Sequence, residues 1–414
     1  MKILFLSENF PPETNAAATR VFERAVYWAR WGHQVTVITQ APNFPHGKLF
    51  EGYRNDWHQV EEISGIRVVR VKTYISANRG VARRTLDFVS YGVTASMAGL
   101  GVARPDVVCA TSPQFFAAVA GWFIGALRRV PFVFELGDLW PLSISAVGAM
   151  KKGVALSAVE QVELFLYRRS ARVAALTHAF KRNLIGRGID AGKIDIVING
   201  VDLPRYAPRP RAANLERDWN LAGKFVVGYV GTHGMAHGLI NVLDAAERLR
   251  GDDRIRFLFV GAGAERDMLI ATAEGRGLTN VVFANPQPKD AMPAVWSVVD
   301  AALVHLKDSP AFAEVIPSKI FEAMAMGLPI LFAAPAGEAT ELVERHRAGL
   351  TVAAGDPQAL ADAVRRLVDN KEEREGFARA SLIAAPKHSR ETQAREMLDV
   401  FDKAIGQLTG QAKS

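Results

Sequence analysis

Apolar runs of strand length recur along the chain, and patterns of helical spacing fill the gaps between them. In the first half the runs are Lys2 to Ser7, Gln34 to Thr39, Ile66 to Tyr74, Asp106 to Thr111, Phe132 to Leu136, Val173 to Thr177 and Ile194 to Ile198. Most are near-continuous Val, Ile and Leu rather than alternating, the pattern required of parallel strands covered on both faces. Between the first two runs, Phe22, Ala25, Val26 and Ala29 fall at helical spacing within Ala16 to Trp31. Asn15 is the candidate cap of that helix and Gly32 its stop.

After Asp202 the pattern breaks into Leu-Pro-Arg-Tyr-Ala-Pro-Arg-Pro-Arg, whose three prolines deny helix and central strand alike. Alternation restarts with Phe225 to Val230, Ile255 to Val260, Val281 to Ala284, Ala301 to Leu306 and Pro329 to Ala333. The expected fold class is α/β, with two doubly wound, Rossmann-like parallel-sheet domains facing a cleft. They occupy residues 1–200 and 221–385, with a linker over 201–220 and a C-terminal helix over 386–414 whose docking is left open. The polar segment Thr39 to Asp56 adds a long loop.

A chain of 414 residues exceeds what one core normally supports, and 49% hydrophobic with 22% charged residues excludes disorder. The single cysteine, Cys109, permits no internal disulfide, and no apolar run reaches the ~20 residues of a membrane span, so a cytoplasmic location is expected. Charge changes this picture. Residues 1–200 carry 24 Lys and Arg against 15 Asp and Glu, whereas the remainder carries 26 against 28. Basic pairs such as Arg83-Arg84, Arg128-Arg129, Lys151-Lys152 and Lys181-Arg182 are interleaved with apolar runs. The first half therefore calls for an anionic partner, and an acidic membrane surface is preferred over nucleic acid.

The most specific chemical signal is Glu314-Val-Ile-Pro-Ser-Lys-Ile-Phe-Glu322, followed by Ala323-Met-Ala-Met-Gly327-Leu-Pro329. Pro317 favours a helix start and Gly327 with Pro329 a helix stop, which puts Glu314 in the preceding loop and Glu322 on the second turn. Free amides near Ser318 and Lys319 can receive a diphosphate, the Lys319 ammonium can neutralise it, and a carboxylate can hold ribose hydroxyls. Gly261-Ala-Gly263 ends a strand but lacks the third glycine and the acidic residue of a dinucleotide fingerprint, so it reads as nucleotide-side loop backbone. With no Asp-x-Asp pair and no His/Cys cluster at ligand spacing, neither a metal nor a cofactor is implied.

The Glu314 to Glu322 segment resembles the Glu-x7-Glu motif of retaining family 4 GT-B glycosyltransferases, in particular their bacterial surface-polysaccharide branch. Asn199-Gly-Val-Asp202 and Arg30-Trp-Gly-His-Gln-Val-Thr-Val-Ile-Thr39 are similar to further signatures of that family. The resemblance implies that Glu314 contacts the donor sugar, Ser318 and Lys319 the diphosphate and Glu322 the ribose, with Ile320 among the donor-binding positions. Gly231-Thr232-His-Gly-Met-Ala-His237-Gly238 resembles the first donor-side loop, with His237 where relatives often have lysine. Gly261 and Gly263 join the same donor set.

In the first half, Phe134-Glu-Leu-Gly-Asp138-Leu-Trp-Pro141 resembles the Arg-Asp-Leu-Trp-Pro stretch of fucosamine transferases of the WbuB kind, with Gly137 replacing the arginine. Asp138 is nominated as an acceptor-side catalytic group, beside Glu314 and Lys319. Asn15, Ala16 and Ala17 stand where relatives carry a glycine-rich acceptor or phosphate loop. The implied activity is retaining transfer of a hexosamine-type sugar from a UDP-sugar to a polyprenyl-diphosphate-linked saccharide, on the inner face of the cell membrane, in O-antigen or capsule synthesis. A nucleotide-sugar 2-epimerase and a non-catalytic nucleotide-sugar sensor are the alternatives.

Overall fold

The structure is a computed structural model that describes residues 1–44, 46–76, 81–112, 115–139 and 154–411. The described chain divides into two compact units, residues 1–199 with 390–414, and residues 200–389.

The first unit is built on an eight-stranded sheet of β1 (Lys2–Leu6), β2 (Gln34–Gln40), β3 (His58–Ile63), β4 (Ile66–Val71), β5 (Val107–Thr111), β6 (Phe132–Leu136), β7 (Arg172–Ala175) and β8 (Ile194–Ile196). Its order is β3-β4-β2-β1-β5-β6-β7-β8, parallel except for the antiparallel β3. β3 was not read from sequence. It is an edge strand of sequence His-Gln-Val-Glu-Glu-Ile that alternates exposed and half-buried residues, so it lacks an apolar run. One face of the sheet is covered by the helices Ala16–Arg30 and Arg390–Gln411, which join Ile3, Phe5, Val35, Val37, Val107 and Val133 in one core. Trp28 ties the two helices together, donating its indole N–H to Ala394 O at 2.9 Å.

The second unit holds a six-stranded, all-parallel sheet of β9 (Phe225–Val230), β10 (Ile255–Val260), β11 (Val281–Ala284), β12 (Ala301–His305), β13 (Ile330–Ala334) and β14 (Gly349–Ala353), in the order β11-β10-β9-β12-β13-β14. β14 also escaped the sequence reading, being a short, partly exposed edge strand. The proline-rich segment expected to be a linker packs into this unit: Arg211 bonds Asp300 at 3.0 Å and the Val298 carbonyl at 3.0 Å, and residues Ala213–Asp218 are helical.

Helix Ala16–Arg30 starts and stops where its sequence says. Asn15 Oδ1 accepts from Ala18 N at 3.0 Å, and Gly32 takes a φ of 85°. Its inner face buries Arg20, Glu23 and Arg24. Glu135, near the end of β6, forms an ion pair with Arg24 at 2.6 Å and lies 3.3 Å from Arg20 Nε. Burial pulls the Glu135 pKa up, but the two guanidinium groups outweigh it and hold the carboxyl below its usual range. Removing this carboxylate strands two buried cations, so Glu135→Gln should lower the stability of the first unit by about 3 to 5 kcal/mol, read by chemical denaturation. A loss under about 1 kcal/mol would show that the arginines find other partners.

Candidate active site

In an open parallel sheet the loops beyond the carboxyl ends of the strands are free to gather polar groups. In the second unit the loops after β9 and β10 interlock there. Gly231 N donates to Val260 O at 2.9 Å, His233 N to Ala262 O at 2.9 Å, and Glu265 N to His233 O at 3.0 Å. Gly261 (φ 147°) and Gly263 (φ 157°) make this possible, because a Cβ would meet Gly231 O at 1.9 Å and His233 O at 2.2 Å. Both glycines, expected to let the backbone approach a ligand, thus serve the contact between the two loops.

The helix Lys319–Ala325 opens beside Gly231. Ser318 lies in helical conformation and makes no side-chain cap, and the amides of Ser318 and Lys319 make no hydrogen bond among the described residues. The Lys319 ammonium is buried without a hydrogen-bond partner, 3.8 Å from the centroid of the Tyr229 ring. Burial pushes its pKa down to about 7, and the carboxylate of Glu322 only partly opposes this. Glu322 sits at the fourth helical position, in the first turn and not the second as expected from sequence. Its Oε2 accepts from the buried Trp296 indole at 3.0 Å. Glu314 ends a 3-10 turn, Pro310–Glu314, and is half-buried. Ile320, expected among the donor-binding positions, has its side chain wholly buried and its amide bonded to Pro317 O at 3.1 Å.

Three histidines surround this lysine. His305, the last residue of β12, directs Nδ1 at His237 O at 2.6 Å, and His237 directs Nδ1 at His305 O at 3.4 Å. A carbonyl only accepts, so Nδ1 carries the proton in both rings. Asn241 then donates to His305 Nε2 at 2.9 Å. Burial lowers both pKa values, to about 3 for His237 and about 4 for His305. A neutral His237 in this tautomer presents an acceptor at Nε2, suited to a hydroxyl or an ammonium and not to a phosphate oxygen. His233 is fully buried among Tyr229, Phe259 and Phe283, its ring nitrogens without partners and its pKa lowered to about 4 by burial, then Arg266 and Lys319. These histidines do not form a metal cluster, and no group of three or more His, Cys, Asp or Glu with that geometry occurs among the described residues. Thr232 gives its carbonyl to the Tyr229 hydroxyl at 2.7 Å. Tyr229, Trp296, Asn241 and His305 were not legible as site residues, since each lies inside an apolar run or a helix that reads as core.

In the first unit, Asn15 spends its side-chain oxygen on the helix cap, leaving its amide nitrogen buried without a partner. Ala16 and Ala17 form the first helical turn after it. Asp138 follows β6 in a turn folded around Ser112: Ser112 Oγ accepts from Gly137 N at 2.8 Å and Asp138 N at 3.2 Å. The arginine of the related motif has no room here. A Cβ on Gly137 would lie 2.6 Å from Arg20 Nη2, which itself donates to Thr111 Oγ1 at 2.9 Å. Glu13 fastens the Thr39 to Asp56 loop, its carboxylate accepting from the amides of Asn43 at 2.9 Å and Phe44 at 2.8 Å. Trp140 and Pro141 lie outside the described residues.

A buried ammonium without a partner costs stability. The folded state binds this proton more weakly than the unfolded chain, so the cost is full below about pH 7 and falls away as pH rises toward the ordinary lysine value of 10.5. Lys319→Met should therefore stabilise the ligand-free protein near pH 6, on the order of a few kcal/mol, and the gain should shrink by pH 10. Denaturant titrations at both pH values measure it, and a variant less stable than the parent at both would contradict the assignment.

Two family models match this chain: Glycosyl transferase 4-like domain over residues 15–200 and Glycosyl transferases group 1 over residues 213–382. Among curated relatives, a protein of Escherichia coli K12 named as a colanic acid biosynthesis glycosyl transferase, WcaI, is 28% identical over 79% of this chain and 82% of its own. A GDP-mannose-dependent alpha-mannosyltransferase of Mycobacterium tuberculosis is 27% identical over 100% and 99%. A D-inositol 3-phosphate glycosyltransferase of Salinispora tropica is 31% identical over 74% and 67%. Anabaena HepE, solved in complex with UDP-glucose, superposes with a TM-score of 0.72 at 20% identity, over 97% of this chain and 99% of that one, a likeness of fold. Two parallel-sheet units and family matches over both halves lead to one conclusion: the chain belongs to the group 1 glycosyltransferases of GT-B fold.

Proposed function

We propose that this chain is a retaining, metal-independent transferase that moves a hexosamine-type sugar from a UDP-sugar to a polyprenyl-diphosphate-linked saccharide. The proposed setting is O-antigen or capsule synthesis at the cytoplasmic face of the cell membrane, where the basic first unit meets an anionic leaflet. No resident cofactor enters this reading. The observation that carries it is Lys319, a buried ammonium with no hydrogen-bond partner beside the unbonded amides of its own helix start. An arriving anion offsets the cost of burying that charge, and a diphosphate supplies one.

In this reading Ser318 and Lys319 hold the diphosphate, and Glu322, anchored by Trp296, meets the ribose hydroxyls. Glu314 orients the donor sugar. The acceptor oxygen attacks the anomeric carbon on the face from which the diphosphate departs. The bond from that carbon to the phosphate oxygen breaks with its electron pair staying on the diphosphate, and the acceptor proton passes to Asp138 or to the departing phosphate. Lys319 and the helix amides stabilise the developing charge, which is preorganised electrostatic catalysis. A uridine carrier is supported by the fold relative solved with UDP-glucose, and a lipid-borne surface saccharide by the colanic acid relative. The mannosyltransferase relative makes GDP-mannose the competing donor.

Labelled UDP-N-acetylhexosamines and GDP-mannose, each supplied with and without a membrane lipid extract, test the whole reading. Label entering lipid from the UDP-sugar is the expected result. Label from GDP-mannose alone would overturn the carrier, interconversion without lipid would favour the 2-epimerase, and binding without turnover would favour the sensor.

Glu322→Ala should weaken UDP binding roughly 10- to 150-fold, since a hydrogen bond to a charged group is worth about 1.5 to 3 kcal/mol. Calorimetry showing unchanged affinity in a folded variant would return Glu322 to a structural role beside Trp296. Asp138→Asn should keep UDP affinity and lower turnover by roughly 10²- to 10⁴-fold. Turnover within a few-fold of the parent would move the search for the base to the donor phosphate.

A further inference from the structure

Helices that face water normally carry charge on the outer side. Two helices on one face of the first unit's sheet do not. The helix Val81–Gly101 has no charged residue after Asp87, and the helix Phe115–Arg128 has none before Arg128. They pack closely, because Gly99 leaves space for Ile124 and Gly92 for Phe116, where added Cβ atoms would lie 2.3 Å and 3.1 Å from those side chains. The helix Val154–Arg169 continues the row, joined through the edge-to-face pair Trp122 and Phe165 at 5.0 Å.

Their outer sides form an apolar ridge. Val93 and Met97, one turn apart, are exposed, Met97 by 63%; Phe123 and Leu127 follow on the next helix, Leu127 exposed by 61%, and Val162 and Phe165 on the third. At the sheet edge, Trp57 is 67% exposed and shares a groove with Met97. Thirteen of the eighteen exposed large apolar side chains among the described residues belong to the first unit, so the ridge is not the average surface of this chain.

Cations accompany the ridge. Exposed Arg129 follows the second helix and exposed Arg168 and Arg169 close the third. Arg169 lies 5.7 Å from the Phe165 ring, and Lys72 lies 5.1 Å from the Trp57 ring. Aromatic and aliphatic tips beside cationic heads match the boundary between acyl chains and acidic headgroups, where an apolar tip inserts while its charged neighbour meets phosphate. We propose that this three-helix face, centred on Met97 and Leu127 and extended to Trp57, is the surface by which the chain inserts shallowly into an anionic bilayer.

The proposal deepens the reading of a membrane-borne acceptor, and the two are separable. Sedimentation with vesicles of phosphatidylcholine, with and without phosphatidylglycerol, reads the face alone. Wild-type protein should bind the anionic vesicles, and the double variant Met97→Glu with Leu127→Glu should lose about ten-fold or more of that affinity, with UDP affinity and melting temperature unchanged. Met97→Leu should bind as wild type. Equal vesicle binding by the double variant would overturn the face. So would wild-type protein that ignores vesicles, or that is a dimer in solution which the double variant dissociates, since a second copy would then be the occupant. Vesicle binding without sugar transfer into lipid would instead overturn the acceptor and leave the face standing.

Discussion

A parallel sheet covered by helices on both faces has nowhere to put charge except at the ends of its strands. That constraint organises both units. Three buried polar residues of inner strands sit at or next to the carboxyl end: Thr111 closes β5, Glu135 stands next to last in β6, and His305 closes β12. Each is buried and each is held by a specific partner, Arg20 for Thr111, Arg24 for Glu135 and the His237 carbonyl for His305. The chemistry of the chain gathers there because no other part of the sheet tolerates it.

The two units solve the problem of buried charge differently. In the first, Glu135 is shared between two guanidinium groups, a closed arrangement that does not need a ligand. In the second, Lys319 is kept beside a ring and a row of neutral histidines, an open arrangement whose missing charge an anion completes. The first serves stability, and in the proposed reading the second serves binding, in line with the general conflict between a relaxed site and a functional one.

Much of this was legible in the sequence because it rests on local rules. Asn15 and Gly32 bounded their helix, Pro317 and Gly327 bounded theirs, and buried parallel strands announced themselves as continuous apolar runs. The strands that escaped, His58–Ile63 and Gly349–Ala353, are edges, where half-exposure dilutes the pattern. Partners distant in sequence left no local mark. Nothing near Glu322 points to Trp296, nothing near His237 points to His305, and Gly137 looks like a lost arginine until Arg20 is found in its place. Gly261 and Gly263 show the converse, a ligand-like motif whose glycines answer to a neighbouring loop.

The first unit is assembled from two stretches of chain separated by the whole of the second. Its core includes Met397, Val400 and Phe401 of the last helix, and Trp28 reaches that helix to place its indole hydrogen. During synthesis, then, the early strands wait with one sheet face bare until some 190 further residues have emerged and formed a body of their own. The order of completion is the reverse of the order of the sequence: the later-encoded unit can be finished first, and the earlier one is sealed last by the helix that returns to it.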